Sequence, residues 1–179
     1  MRHILAICLA APVMAILCWK DCRTRTLPNA WTLGLAVLAF SWRLWADGTG
    51  GIVDGLLGGL AGALFLLVPF LMRAAGGGDV KMLAAAGVLT GFRLCAAQLL
   101  FVSLAGIALA AVFLAARGVS PARLNHLFRC VFDWRYDRVK GRADLPSRAD
   151  EKCRVPFGVA IAAGTLATLA YAAWLEVTP

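Results

Sequence analysis

The chain has 179 residues, 61% apolar and 16% charged, against roughly 45–50% and about 25% in ordinary globular domains. A soluble protein of this size has no core large enough to hide that excess, so lipid must replace water around much of its surface. The net charge of +8 does not point to nucleic acid: the basic residues lie between the apolar runs, and no aromatic-and-basic surface motif accompanies them.

Six apolar stretches approach the ~20 residues needed to cross a hydrocarbon core ~30 Å thick. In chain order they are roughly 3–19, 30–46, 52–72, 80–92, 94–116 and 156–175. The expected fold class is therefore all-α: a polytopic membrane protein with about six transmembrane helices, forming a single domain over 1–179. The first stretch, behind Met1-Arg2-His3, also reads as a signal peptide cleaved after Ala15. Its apolar run continues to Trp19 and five more segments follow, which favours an uncleaved helix. Taken as one helix, 80–116 would be about 55 Å long, nearly twice the membrane, so Thr90-Gly91-Phe92-Arg93 is read as a turn. Small residues crowd the third stretch, in Gly55-Leu56-Leu57-Gly58-Gly59-Leu60-Ala61-Gly62, and permit close helix–helix approach.

Orientation follows from Lys and Arg. Loop 20–29 holds Lys20, Arg23 and Arg25; loop 73–81 holds Arg73 and Lys81; most of the rest lie in 117–154. With six spans these loops share one side, expected to be cytoplasmic, and both termini face the exterior. Arg43 and Arg93 lie near span ends, where a long side chain snorkels to the headgroups. Within the loop 118–154, Leu124, Leu127, Phe128, Val131 and Phe132 share one helical face. An amphipathic helix on the membrane surface is expected there, with partner docking as the alternative. The six cysteines contain no C-x-x-C pair, so neither a metal site nor a disulfide framework is expected.

Ionisable groups near membrane depth are costly and often functional. Asp21 closes the first span, in Lys20-Asp21-Cys22-Arg23-Thr24-Arg25-Thr26-Leu27-Pro28-Asn29. Asp79 opens the fourth, in Gly76-Gly77-Gly78-Asp79-Val80-Lys81-Met82. Two spans separate them, so both carboxylates fall on one membrane face whichever way the protein is inserted. Two carboxylates sharing a site share a proton, as aspartic proteolysis requires. One activates water while the other polarises the peptide carbonyl and later protonates the leaving amine. Gly76, Gly77 and Gly78 would let the backbone reach unusual dihedrals beside a substrate strand. The structural alternative is that Asp79 caps a helix starting at Val80 and that Asp21 is a loop charge neutralised by Lys20 and Arg23.

Together these motifs resemble those of the prepilin peptidases, the type IV leader peptidases of GxGD aspartic type. Leu27-Pro28-Asn29 matches their Ile-Pro-Asn, Gly76 to Met82 matches Gly-x-Gly-Asp-Val-Lys-Leu, and Pro156-Phe157-Gly158 is similar to their closing segment. The resemblance implies Asp21 and Asp79 as the catalytic pair, with Gly76 and Gly78 as the motif's fixed glycines. Lys81 is its basic position, grouped with Gly76, Gly77 and Gly78 as substrate-contacting, with interfacial anchoring as the alternative. It implies an endopeptidase needing no cofactor, in the bacterial inner membrane, cleaving the basic leader of a prepilin or pseudopilin at the cytoplasmic face. Membrane lipid is the other expected partner; oligomeric state has no signal in the sequence. The long members carry an N-terminal domain with paired C-x-x-C motifs. This chain looks most like the short forms serving Flp-type tight-adherence pili, which puts methyltransferase activity in doubt. The competing reading is a small transporter or secretion-apparatus subunit in which Asp54 or Asp79 binds a proton or cation.

Overall fold

A computed structural model describes residues 2–24, 28–71, 75–117 and 157–177. They form α1 (Arg2–Thr24), α2 (Asn29–Leu71), α3 (Gly77–Thr90), a 3-10 turn (Phe92–Leu94), α4 (Cys95–Arg117) and α5 (Phe157–Val177), with no strand among the described residues. Those up to Ile107 and those from Phe157 belong to one compact unit, while 108–117, the end of α4, belongs to a second. The amphipathic helix expected in 121–132 lies outside the described residues.

Four of these helical stretches are long and apolar enough to cross a membrane: Arg2–Thr24, Asn29–Leu71, Phe92–Val112 and Phe157–Val177. Large apolar side chains point outward along them, among them Leu33, Val53, Leu60, Ile107 and Trp174. Such faces are stable against hydrocarbon, where helices satisfy their own backbone groups. The chain is an all-α, multi-pass membrane protein.

As a straight rod, α2 with its 43 residues would be about 64 Å long. Gly48 breaks it, with φ 64° and ψ −149°, a left-handed backbone that glycine adopts without steric cost. The arms 29–47 and 49–71 then fold back, so that both outer ends of α2 reach the start of α3. Asn29 is hydrogen-bonded to Lys81, and the Phe70 ring lies 3.4 Å from where a Gly77 Cβ would stand.

The second arm packs on α3 through glycine. Gly58 and Gly87 face each other so closely that a Cβ on either would lie 2.4 Å from the other's carbonyl oxygen; Gly55, Gly59 and Gly62 also abut the α3 backbone. Small residues let two backbones approach and gain dispersion contacts over their length. Consequently α3 is buried from Met82 to Thr90, apart from the partly exposed Ala84. On α1 the buried residues Ala6, Ala10, Met14, Leu17 and Asp21 recur every three or four positions, forming one face, and that face packs on α5. A buried polar chain joins three helices: Gln98 Nε2 donates to Thr165 Oγ1 at 3.4 Å, and Thr90 Oγ1 donates to Gln98 Oε1 at 2.8 Å.

Arg43 does not snorkel, contrary to the expectation from its place near a span end. It is buried and donates through Nη1 to Asp47 at 2.9 Å and through Nη2 to Asp54. Asp47 in turn accepts from Arg2 at 2.8 Å, and Arg2 reaches Glu176 at 3.2 Å. The Gly48 reversal returns Asp54 to Arg43, so a guanidinium that would otherwise seek the headgroups finds its counter-ions inside the bundle. This ion-pair cluster ties the start of α1, the break in α2 and the end of α5.

Candidate active site

The opposite end of the bundle gathers the motif residues. Along α1, Arg2 and Asp21 are 19 residues apart, or about 28 Å at 1.5 Å per residue, close to the thickness of a hydrocarbon core. Three helices begin at the Asp21 end: α2 at Asn29, α3 at Gly77 and α5 at Phe157. Helix N-termini leave backbone N–H groups without intrahelical acceptors and carry partial positive charge. Carboxylates there meet donors and a favourable field.

Asp21 uses one of those donors. It lies in the last turn of α1 and is buried, with only 6% of its surface exposed. Its Oδ2 accepts the Gly158 N–H at 2.9 Å. Asp21 therefore lies on a helix and not on the loop of the structural alternative; α1 extends past the apolar run and carries it into the bundle.

Asp79 is half-buried. The helix begins at Gly77 rather than at Val80, which makes Asp79 its third residue, and Oδ2 accepts the Gly76 N–H at 3.0 Å. Gly76 has no side chain to return the bond, so only the carboxylate half of a capping box is present. The capping role considered from the sequence is real, though from within the first turn.

The expectation of unusual backbone at 76–78 is corrected. Gly76 is extended, at φ −84° and ψ 149°, and Gly77 and Gly78 are helical. Among the described residues the positive-φ glycines are Gly48 and Gly91. With the Asp79 carboxylate bonded to the Gly76 amide, α3 starts three residues earlier than the apolar pattern indicates.

Lys81 is exposed, and its Nζ donates to Asn29 Oδ1 at 2.8 Å. This bond joins the two motifs directly. Together with the Asp21–Gly158 bond and the short connection from Thr24 to Pro28, it sets Asp21 and Asp79 at the same end of the bundle. Sequence reasoning gave Lys81 either substrate contact or anchoring and missed Asn29 as its partner; it noted Gly158 only as part of a three-residue likeness. Among the described residues no three His, Cys, Asp or Glu side chains converge as a metal site would need.

An all-α bundle with a buried and a half-buried carboxylate toward one end, each accepting a backbone N–H, defines a multi-pass membrane protein with acidic side chains at one rim. The sequence model of the type IV leader peptidase family matches residues 8–114, more than half the chain and both aspartate motifs. The chain belongs to the type IV leader peptidase family and is a multi-pass membrane peptidase. No curated protein and no solved structure gives a match.

Proposed function

We propose that the chain is an aspartic endopeptidase that removes the basic leader of type IV-like prepilins or pseudopilins, with Asp21 and Asp79 sharing a proton as one dyad. The ionised member takes a proton from water as the oxygen attacks the scissile carbonyl. The protonated member hydrogen-bonds the carbonyl oxygen and then delivers its proton to the leaving amine. The substrate's apolar helix lies among the peptidase helices, so burial in the membrane positions the bond to be cut. The N–H groups of Gly77 and Gly78, in the first turn of α3 and without intrahelical acceptors, offer partners to an unwound substrate strand.

The observation that carries this reading is the Lys81–Asn29 hydrogen bond, which brings the segments following Asp21 and surrounding Asp79 into contact. We read the two arms of α2 and the 14-residue α3 as separate crossings, six in all. The motif end then faces the cytoplasm of a bacterial inner membrane. The transporter reading is weakened because Asp54 is already paired with Arg43, leaving it poorly suited to take up a cation.

The test is co-expression with a prepilin, following leader removal on a gel for the parent chain and for Asp21→Asn and Asp79→Asn. Each variant is checked for membrane insertion. Both substitutions are expected to abolish cleavage. Undiminished processing by either inserted variant would remove the dyad.

A further inference from the structure

The geometry assigns Gly158 a positioning role for Asp21, an inference that rests on Asp21 being one of the reacting carboxylates. Two side chains of α1, Cys18 and Asp21, grip the same residue at the start of α5. The Asp21 carboxylate accepts the Gly158 N–H at 2.9 Å, and the Cys18 thiol donates to the Gly158 carbonyl at 3.7 Å, within reach for the larger sulfur atom. Residues three apart on a helix share a face, so Cys18 and Asp21 approach one backbone unit from the same side.

The approach is so close that only glycine fits. A Cβ at 158 would stand 2.8 Å from Asp21 Oδ2, 3.3 Å from its Cγ and 3.5 Å from its Cβ. Any larger residue must therefore push the carboxylate away or lift α5 from α1. The donor is one that the helix cannot use itself, since an N–H in the first turn has no intrahelical acceptor. Buried at that point, it needs a partner from elsewhere, and Asp21 supplies it. The bond fixes one carboxylate oxygen, and with it the plane in which the other oxygen lies. Reacting groups must be held within about 0.5 Å to be productive. Gly158 thus sets where Asp21 presents its oxygens without itself touching substrate.

The test measures kcat and KM for the full chain in proteoliposomes, with a co-reconstituted prepilin carrying a basic leader and an apolar helix. Gly158→Ala is expected to lower kcat by about 100-fold, the scale of a displacement near 1 Å, with KM changed less than about threefold. Cys18→Ala is expected to lower kcat more mildly, and Cys18→Ser, which keeps a donor, to recover it relative to Cys18→Ala. Parental kcat in Gly158→Ala would overturn the assignment, as would a change confined to KM. Should Gly158→Ala fail to insert, the Cys18 pair decides: equal kcat in Ala and Ser variants overturns it. Asp21→Asn runs alongside; activity there would sink the dyad itself, whereas an inactive Asp21→Asn beside a fully active Gly158→Ala sinks only the positioning role.

Discussion

Lys81 Nζ donates to Asn29 Oδ1 across 2.8 Å, linking residues 52 positions apart. Each belongs to a motif that contains an aspartate, so this contact aligns the starts of α2 and α3. Lys81→Met should insert normally, since an exposed hydrogen bond contributes about 1 kcal/mol. Leader removal should slow by up to about tenfold as the α2 and α3 starts lose register, and Lys81→Arg should retain more activity. A Lys81→Met enzyme with unchanged kinetics would show that the bond is incidental.

Asp79 combines a cap with the proposed chemistry, and substitutions separate the two. Asn keeps an oxygen acceptor for the Gly76 N–H, so Asp79→Asn should lose cleavage with little change in thermal unfolding. Asp79→Ala loses the acceptor as well and should be less stable than Asp79→Asn by about 1 kcal/mol. Denaturation of both variants in detergent, beside the cleavage assay, checks the difference.

Gly87→Ala inserts a methyl group 2.4 Å from the Gly58 carbonyl oxygen. Backbone cannot step aside as a side chain can, so the second arm of α2 must separate from α3, at a cost of about 1–3 kcal/mol. Gly34→Ala, with open space at that position, should leave the unfolding midpoint unchanged or slightly raised. Equal midpoints for the two variants would contradict the glycine-mediated packing.

Removing the Arg43 side chain takes the guanidinium from Asp54 at the opposite rim, while Asp47 keeps its bond to Arg2. Arg43→Met should cost about 3 kcal/mol, as expected when one member of a buried ion pair is lost, and adding Asp54→Asn should recover part of it. Asp54→Asn alone should still process prepilin once folded. Loss of processing in a stable Asp54→Asn protein would revive a functional role for that acid.

Orientation has its own test. Alkaline-phosphatase fusions should be active near Gly50 and silent near Arg138. The reverse pattern would place the motif end outside the cell.

The sequence by itself determined the helical class, the approximate helix ends and the presence of both aspartates beside span termini. Hydropathy is a local property, and a run of apolar residues must be a self-satisfied helix in lipid wherever it packs. The Gly-rich third stretch was likewise legible as a packing face. Tertiary structure alone decided that Arg43 turns inward to Asp54, that Lys81 meets Asn29, that α3 starts at Gly77, and that Gly158 holds Asp21 from 137 positions away. Those outcomes depend on how helices are rotated and how closely their backbones approach. These are properties of the packed bundle, and the composition of one segment does not encode them.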